Sequence, residues 1–91
     1  MLQPIFERSF KKDYEKSKRS GMNVARFYNV VDDLVNERPL SAKHRNHKLK
    51  GEFVDYWECH IEPDWLLIYR KDELNVYIYF VRNGTHSDLF R

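Results

Sequence analysis

The spacing of apolar residues changes once along the 91-residue chain, from a helical to a strand rhythm. A short apolar opening, Gln3 to Glu7, reads as a strand, with Pro4 tolerable on a sheet edge. Ser9 is placed to cap a helix over about Phe10 to Arg19. Its apolar stripe is narrow, Phe10 and Tyr14, amid Lys11, Lys12, Lys16, Lys18 and Arg19, and Gly21 is placed to stop it. Asn23 is a second cap. Val24, Phe27, Tyr28, Val31, Leu34 and Val35 then recur at helical spacing with a wide apolar face. Pro39 bars continuation, so this helix should end near Asn36 to Arg38. The pair forms an αα-hairpin.

Residues Ser41 to Gly51 have no useful period and are expected to be a polar connection. From Phe53 the rhythm is two. Phe53, Asp55, Trp57, Cys59 and Ile61 share one face of a strand, and Val54, Tyr56, Glu58 and His60 share the other. Glu62-Pro63-Asp64 predicts a turn, Trp65 to Arg70 a second strand, Lys71-Asp72-Glu73 a hairpin turn, and Leu74 to Arg82 a third strand. Asn83-Gly84 should break that strand, leaving Thr85 to Arg91 as a tail. The expected core takes the second-helix stripe with Leu67, Tyr69, Val76, Ile78 and Phe80. The order β-α-α-β-β-β predicts an α+β fold, a helix hairpin packed on a twisted, mainly antiparallel sheet.

Composition narrows the class. At 42% hydrophobic and 15% aromatic, with a third of the residues charged, the chain reads as one globular domain over residues 1–91 rather than a disordered tail. Cys59 is the single cysteine, so an internal disulfide and a cysteine-built zinc site are excluded. No apolar run spans a membrane and no signal-peptide core is visible, so the expected location is the cytoplasm. Net charge is only +2, but the 41–51 connection holds Lys43, Arg45, Lys48 and Lys50, with His44 and His47, and no acid. That local excess suits phosphate contact.

Three short motifs lie in fixed order: His47-Lys48-Leu49-Lys50-Gly51, His60-Ile61-Glu62-Pro63-Asp64-Trp65, and Arg82-Asn83-Gly84-Thr85-His86-Ser87-Asp88-Leu89-Phe90. Together they resemble the YafQ branch of the RelE/ParE toxin superfamily. The motifs cover the C-terminal half, while the N-terminal half matches in element order and length. The resemblance implies a ribosome-dependent mRNA endonuclease that cuts the codon in the ribosomal A site, uses no metal or other cofactor, and is neutralised by a cognate antitoxin. It implies contact with the ribosome (16S rRNA) and mRNA, and none with a membrane. The toxin alone is expected to be monomeric. The catalytic positions carried over are His47, His60, Asp64 and His86, and the supporting positions are Trp65 and Phe90, with Arg82 as a phosphate contact. Many relatives have Arg where this chain has Trp57, so one basic contact near the substrate is not carried over.

Metal-free RNA cleavage needs a base for the 2′-hydroxyl, an acid for the departing 5′-oxygen and a cation for the charged phosphorane. Histidine titrates near neutrality and suits the first two tasks. On these grounds His86 is the preferred acid, Asp64 or His47 the base, and His60 the residue that positions the 2′-hydroxyl or phosphate; Asp64 has orienting a histidine as its second option. Trp65 and Phe90 offer faces for an unpaired base, and Lys48 and Lys50 offer charge for phosphate. His44 has no counterpart in the motifs and is expected to be solvated. Two other functions share the scaffold: a ParE-like gyrase inhibitor, which needs no histidine set, and a catalytically silent RNA- or protein-binding module.

Overall fold

A computed structural model describes residues 1–90; Arg91, the end of the expected tail, lies outside the described residues. The elements in chain order are β1 (Gln3–Phe6), α1 (Arg8–Arg19), α2 (Val24–Val35), β2 (His47–Lys48), β3 (Trp57–Glu62), β4 (Trp65–Asp72), β5 (Tyr77–Gly84) and α3 (His86–Leu89). The sheet order is β1-β5-β4-β3-β2. β1 runs parallel to β5, and the other pairings are antiparallel. This is the expected α+β arrangement, with one strand and one short helix more than the sequence pattern predicted.

The helix hairpin covers one sheet face. Phe10, Phe27, Val30, Val31 and Leu34 bury their side chains against Cys59, Ile61, Leu67, Tyr69, Ile78 and Phe80. Aromatic rings build much of this layer: Phe10 lies 5.8 Å from Phe27 and 6.0 Å from Phe80, centroid to centroid. Burial pushes the Cys59 thiol well above its ordinary range, as suits a small apolar filler. Leu66 and Ile68 point the other way and are also buried, outside this cluster. They lie on the face that carries the functional candidates.

Several local expectations give way to packing. Glu7, not Ser9, occupies the N-cap of α1, and the Ser9 hydroxyl instead donates to Val81 O at 2.7 Å. β1 ends at Phe6, and α1 continues along the β5 edge where the strand stops. There Asp13 accepts the Asn83 amide at 3.1 Å, so side chains do what a neighbouring strand would do. Asn23 caps α2 as expected, accepting from the Arg26 amide. On α2, Val30 is buried and Tyr28 is exposed, a small rotation of the predicted stripe.

The strand expected from Phe53 starts only at Trp57, because Gly51–Phe53 forms a 3-10 turn. The connection expected to be featureless holds a 3-10 turn at Ala42–His44 and the two-residue β2. The β4–β5 turn is Glu73 to Val76 rather than Lys71 to Glu73. Asp72 organises it by accepting from the Asn75 amide at 3.1 Å and side chain at 2.9 Å. Val76, expected in the core, sits at φ +64° and is exposed. Asn83 and Gly84 do not break β5: they pair with Leu67 and Leu66. A bulge between Ile68 and Tyr69 adds Val81 as an extra residue, which turns Asn83 to the Leu67 side of the sheet.

Candidate active site

The register brings the sequence motifs to one end and one face of the sheet. His47 stands opposite Glu58, Glu58 opposite Ile68, and Ile68 opposite Arg82. The next row runs His60, Leu66, Gly84. Neighbouring strands are roughly 4.8 Å apart. His60 and the start of α3 are therefore separated by about two strand spacings, and the Pro63–Asp64 turn closes the same end.

At the centre of this surface is a residue that the motif reading passed over. Glu58 is buried, its side chain 9% exposed, and its Oε1 lies 3.5 Å from His47 Nε2 and 3.7 Å from His60 Nε2. A carboxylate is rarely buried unless hydrogen-bonded or paired. The strand rhythm did contain the signal, since Glu58 and His60 share a face. What it lacked was β2, which brings His47 across from Glu58.

Backbone carbonyls set the histidine tautomers. His47 Nδ1–H donates to Arg45 O at 2.7 Å, and His60 Nδ1–H donates to Pro63 O at 3.1 Å. A carbonyl accepts only, so the proton sits on Nδ1 in each ring. Nε2 is left as the working nitrogen of both, and both turn it to Glu58. His60 is 17% exposed and His47 50%, so the pair reaches from the protein interior to solvent. His44, expected to be solvated, is half-buried instead, and its Nδ1–H donates to His60 O at 2.6 Å.

His86 opens α3 and is exposed. Thr85 and Asp88 form a reciprocal capping box around it: the Thr85 hydroxyl accepts from the Asp88 amide, and the Asp88 carboxylate accepts from the Thr85 amide. A side-chain hydrogen bond from Thr85 to the Asp88 carboxyl is the largest cause holding it below its ordinary range, and Lys16, 3.2 Å away on α1, and the Thr85 amide add to the effect. His86 lies 5.2 Å from the Phe90 ring, which meets Phe53 edge-on at 6.0 Å. Phe90 thus supports His86 and remains half-exposed. Asp64 is exposed in its turn. Among the described residues, no hydrogen bond links Asp64 or His86 to the His47–Glu58–His60 trio.

Three expected substrate contacts have other partners. Trp65 is half-buried and packs against the helix-side core. Arg82 is held by Asp13, Nε to Oδ2 at 2.6 Å and a second nitrogen to Oδ1 at 3.3 Å. Lys48 stands opposite Trp57, one residue on from His47 and so on the other face, with Nζ 5.7 Å from the Trp57 ring. Lys50 is exposed at the start of the 3-10 turn. Among the described residues, no three His, Cys, Asp or Glu side chains stand where they would hold a metal ion.

Comparison with known proteins agrees with this architecture. A sequence model of the family described as the bacterial toxin of type II toxin–antitoxin systems, YafQ, matches residues 2–91. The mRNA interferase toxin YafQ of Escherichia coli K12 is 34% identical over 94 residues, covering 99% of each chain. A metal-bound toxin from Helicobacter pylori superposes with a TM-score of 0.92 at 38% identity, over 99% of this chain and 100% of that one. The toxin in the E. coli DinJ–YafQ complex superposes with a TM-score of 0.90 at 28% identity, over the whole of both chains. With motif order, fold and near full-length similarity in agreement, the chain belongs to the YafQ family of type II toxin–antitoxin toxins.

Proposed function

We propose that this toxin is a ribosome-dependent endoribonuclease that cuts mRNA in the A site by attack of the 2′-hydroxyl, and that a cognate antitoxin neutralises it. The observation that carries the reading is the His47–Glu58–His60 trio. Two histidines have fixed tautomers, with both Nε2 atoms turned on one buried carboxylate. A binding surface for a protein partner has no need of such a set.

In this reading a base removes the 2′-hydroxyl proton, the 2′-oxygen attacks phosphorus, and the P–O5′ bond breaks. An acid protonates the 5′-oxygen, leaving a 2′,3′-cyclic phosphate and a 5′-hydroxyl. His86, exposed at the start of a one-turn helix, is assigned as the acid. Glu58 joins Asp64 and His47 as candidates for the base. His60 positions the phosphate or 2′-hydroxyl. Phe90 offers a face to an unpaired base, and Trp65, beside Asp64 in sequence, offers only the part that its packing on the helix-side core leaves exposed. Lys50 and the basic loop meet phosphates, Lys48 from the far side of β2, and Arg82 through the guanidinium edge that Asp13 leaves open. The same names in relatives, an mRNA interferase and a DinJ–YafQ complex, support both the activity and the antitoxin partner.

The test is primer extension on mRNA, in cells and on purified programmed ribosomes, with wild type, His86→Ala and Glu58→Gln. We expect wild type to leave defined cleavage stops at downstream fragments with 5′-hydroxyl ends, and each variant to slow cleavage by roughly a hundredfold or more. Identical transcripts with and without the toxin would sink the reading. Inhibition of DNA supercoiling in their place would move the chain to the gyrase-poisoning class.

A further inference from the structure

β2 is only two residues long, and its register predicts a gap. With His47 opposite Glu58, the residue that would stand opposite His60 is Arg45. Arg45 is at φ +47°, ψ +45°, a left-handed conformation that leaves the ladder. The backbone of His60 on that side therefore has no strand beside it. The ring of His44 fills the place, its Nδ1–H donating to His60 O at 2.6 Å. One residue further on, the buried hydroxyl of Tyr69 donates to Asn46 Oδ1 at 2.5 Å and anchors the same loop from inside. Burial keeps that phenol protonated far above its ordinary range, so it stays a donor.

We propose that His44 is a positioning residue for His60: its hydrogen bond to the His60 carbonyl substitutes for the missing strand and sets where the His60 imidazole stands in the RNA-cleaving site. This rests on the proposed endoribonuclease reading. The physical reason is geometric. His60 is tied to Pro63 O by Nδ1 and points Nε2 at Glu58. Its ring position then depends on where its own backbone lies; β4 holds that backbone on one side, at Leu66, and His44 is the hold on the other, where a small shift already matters to a reacting geometry. A carbonyl left without a donor at a half-buried position also costs stability, so the strand end would shift to find water. His44 lines, in addition, a cleft of about 340 Å³ with Arg26, Lys43 and Glu62, which provides the competing explanation that it touches RNA directly.

His44→Ala, His44→Asn and His44→Gln separate these accounts. Asn carries a donor where His has Nδ1; Gln carries one where His has Nε2. Cleavage on programmed ribosomes gives kcat and KM, the ¹⁵N signals of the His60 imidazole report its setting without any activity, and thermal unfolding reports the fold. We expect His44→Ala to lower kcat roughly ten- to hundredfold, with KM within about twofold, and to move the His60 signals. His44→Asn should recover most of kcat and the wild-type signals, and His44→Gln should not. If His44→Ala fails to fold, the Asn–Gln contrast carries the test, and equal activity of the two overturns the proposal. Unmoved His60 signals together with a raised KM would also overturn it, in favour of direct RNA contact. A wild-type protein that cuts no mRNA, while its His60 signals still respond to His44→Ala, would sink the nuclease reading and leave the bracing of His60 standing.

Discussion

Single positions at the β5–α3 junction show how local chemistry is overruled by neighbours. Asn83-Gly84 has the composition of a turn, yet both residues are buried in strand. Asn83 donates to Leu66 O at 3.1 Å, and Gly84 is where α3 folds back onto the sheet. A Cβ on Gly84 would lie 3.4 Å from Asp88 Cβ and 3.5 Å from Leu89 Cδ2, which is ordinary contact. One methyl fits and a branched side chain does not. Gly84→Ala is therefore expected to stay within about 1 kcal/mol of wild type, and Gly84→Val to lose about 1–3 kcal/mol by overpacking while displacing His86. Urea unfolding and cleavage assays measure the two effects. A Gly84→Val protein as stable and active as wild type would refute the close approach.

Among the elements, α3 is the most dependent on charge. It is one turn long, far below the length at which a helix holds itself together, so its cap and its link to α1 do that work. The folded Asp88 carboxyl is held below its ordinary range, so the unfolded chain takes up a proton at higher pH than the folded one. The stabilisation is then fully present above the unfolded value, near 4, and disappears as pH falls through the lower folded value. The protection of the Thr85 and Asp88 amides against exchange, taken relative to the intrinsic rate at each pH, should fall as pH drops below about 4, and Asp88→Asn should remove that dependence. Asp72 is depressed too, by Asn75, but it sits in the β4–β5 turn and reports separately. The loop before β3 is the opposite case. It takes its shape from His44 and Asn46 bonds to β3 and β4 and from the His47 ring folding back on Arg45 O, and the bonds to the strands do not follow from the pattern of its own residues.

Across the whole molecule, the two sheet faces divide the labour. The helix side is an apolar layer in which Phe27 is central: its ring lies 5.0 Å from Tyr14, 5.4 Å from Tyr28 and 5.8 Å from Phe10. Phe27→Ala opens a cavity beneath both helices and should cost about 3–5 kcal/mol, read as a lower denaturation midpoint at unchanged slope. The other face carries His47, Glu58 and His60, with α3 across its end. Trp65 and Lys48 belong to the helix side by strand alternation, although both are adjacent in sequence to residues of the site. Strand parity separates what the motif puts together. A clean loss of stability with no loss of fold in Phe27→Ala is the expected mark of this division, and altered cleavage beyond that loss would argue against it.

The sequence by itself determined the parts that depend on short range. These are the two helices and their hairpin, the three long strands, the apolar stripes, the Asn23 cap, and the motifs that carry His47, His60, Asp64 and His86. Each follows from the period of apolar residues or from residue types at close spacing. Tertiary structure decided what depends on partners far along the chain. It made β2 a strand because β3 offered an edge, and it kept Asn83 and Gly84 in β5 because β4 and α1 took up their backbone bonds. It turned Glu58 from one acid in an alternating strand into the carboxylate between two histidines. It also drew His44 out of solvent, because a strand that ends two residues early leaves the His60 carbonyl in need of a donor.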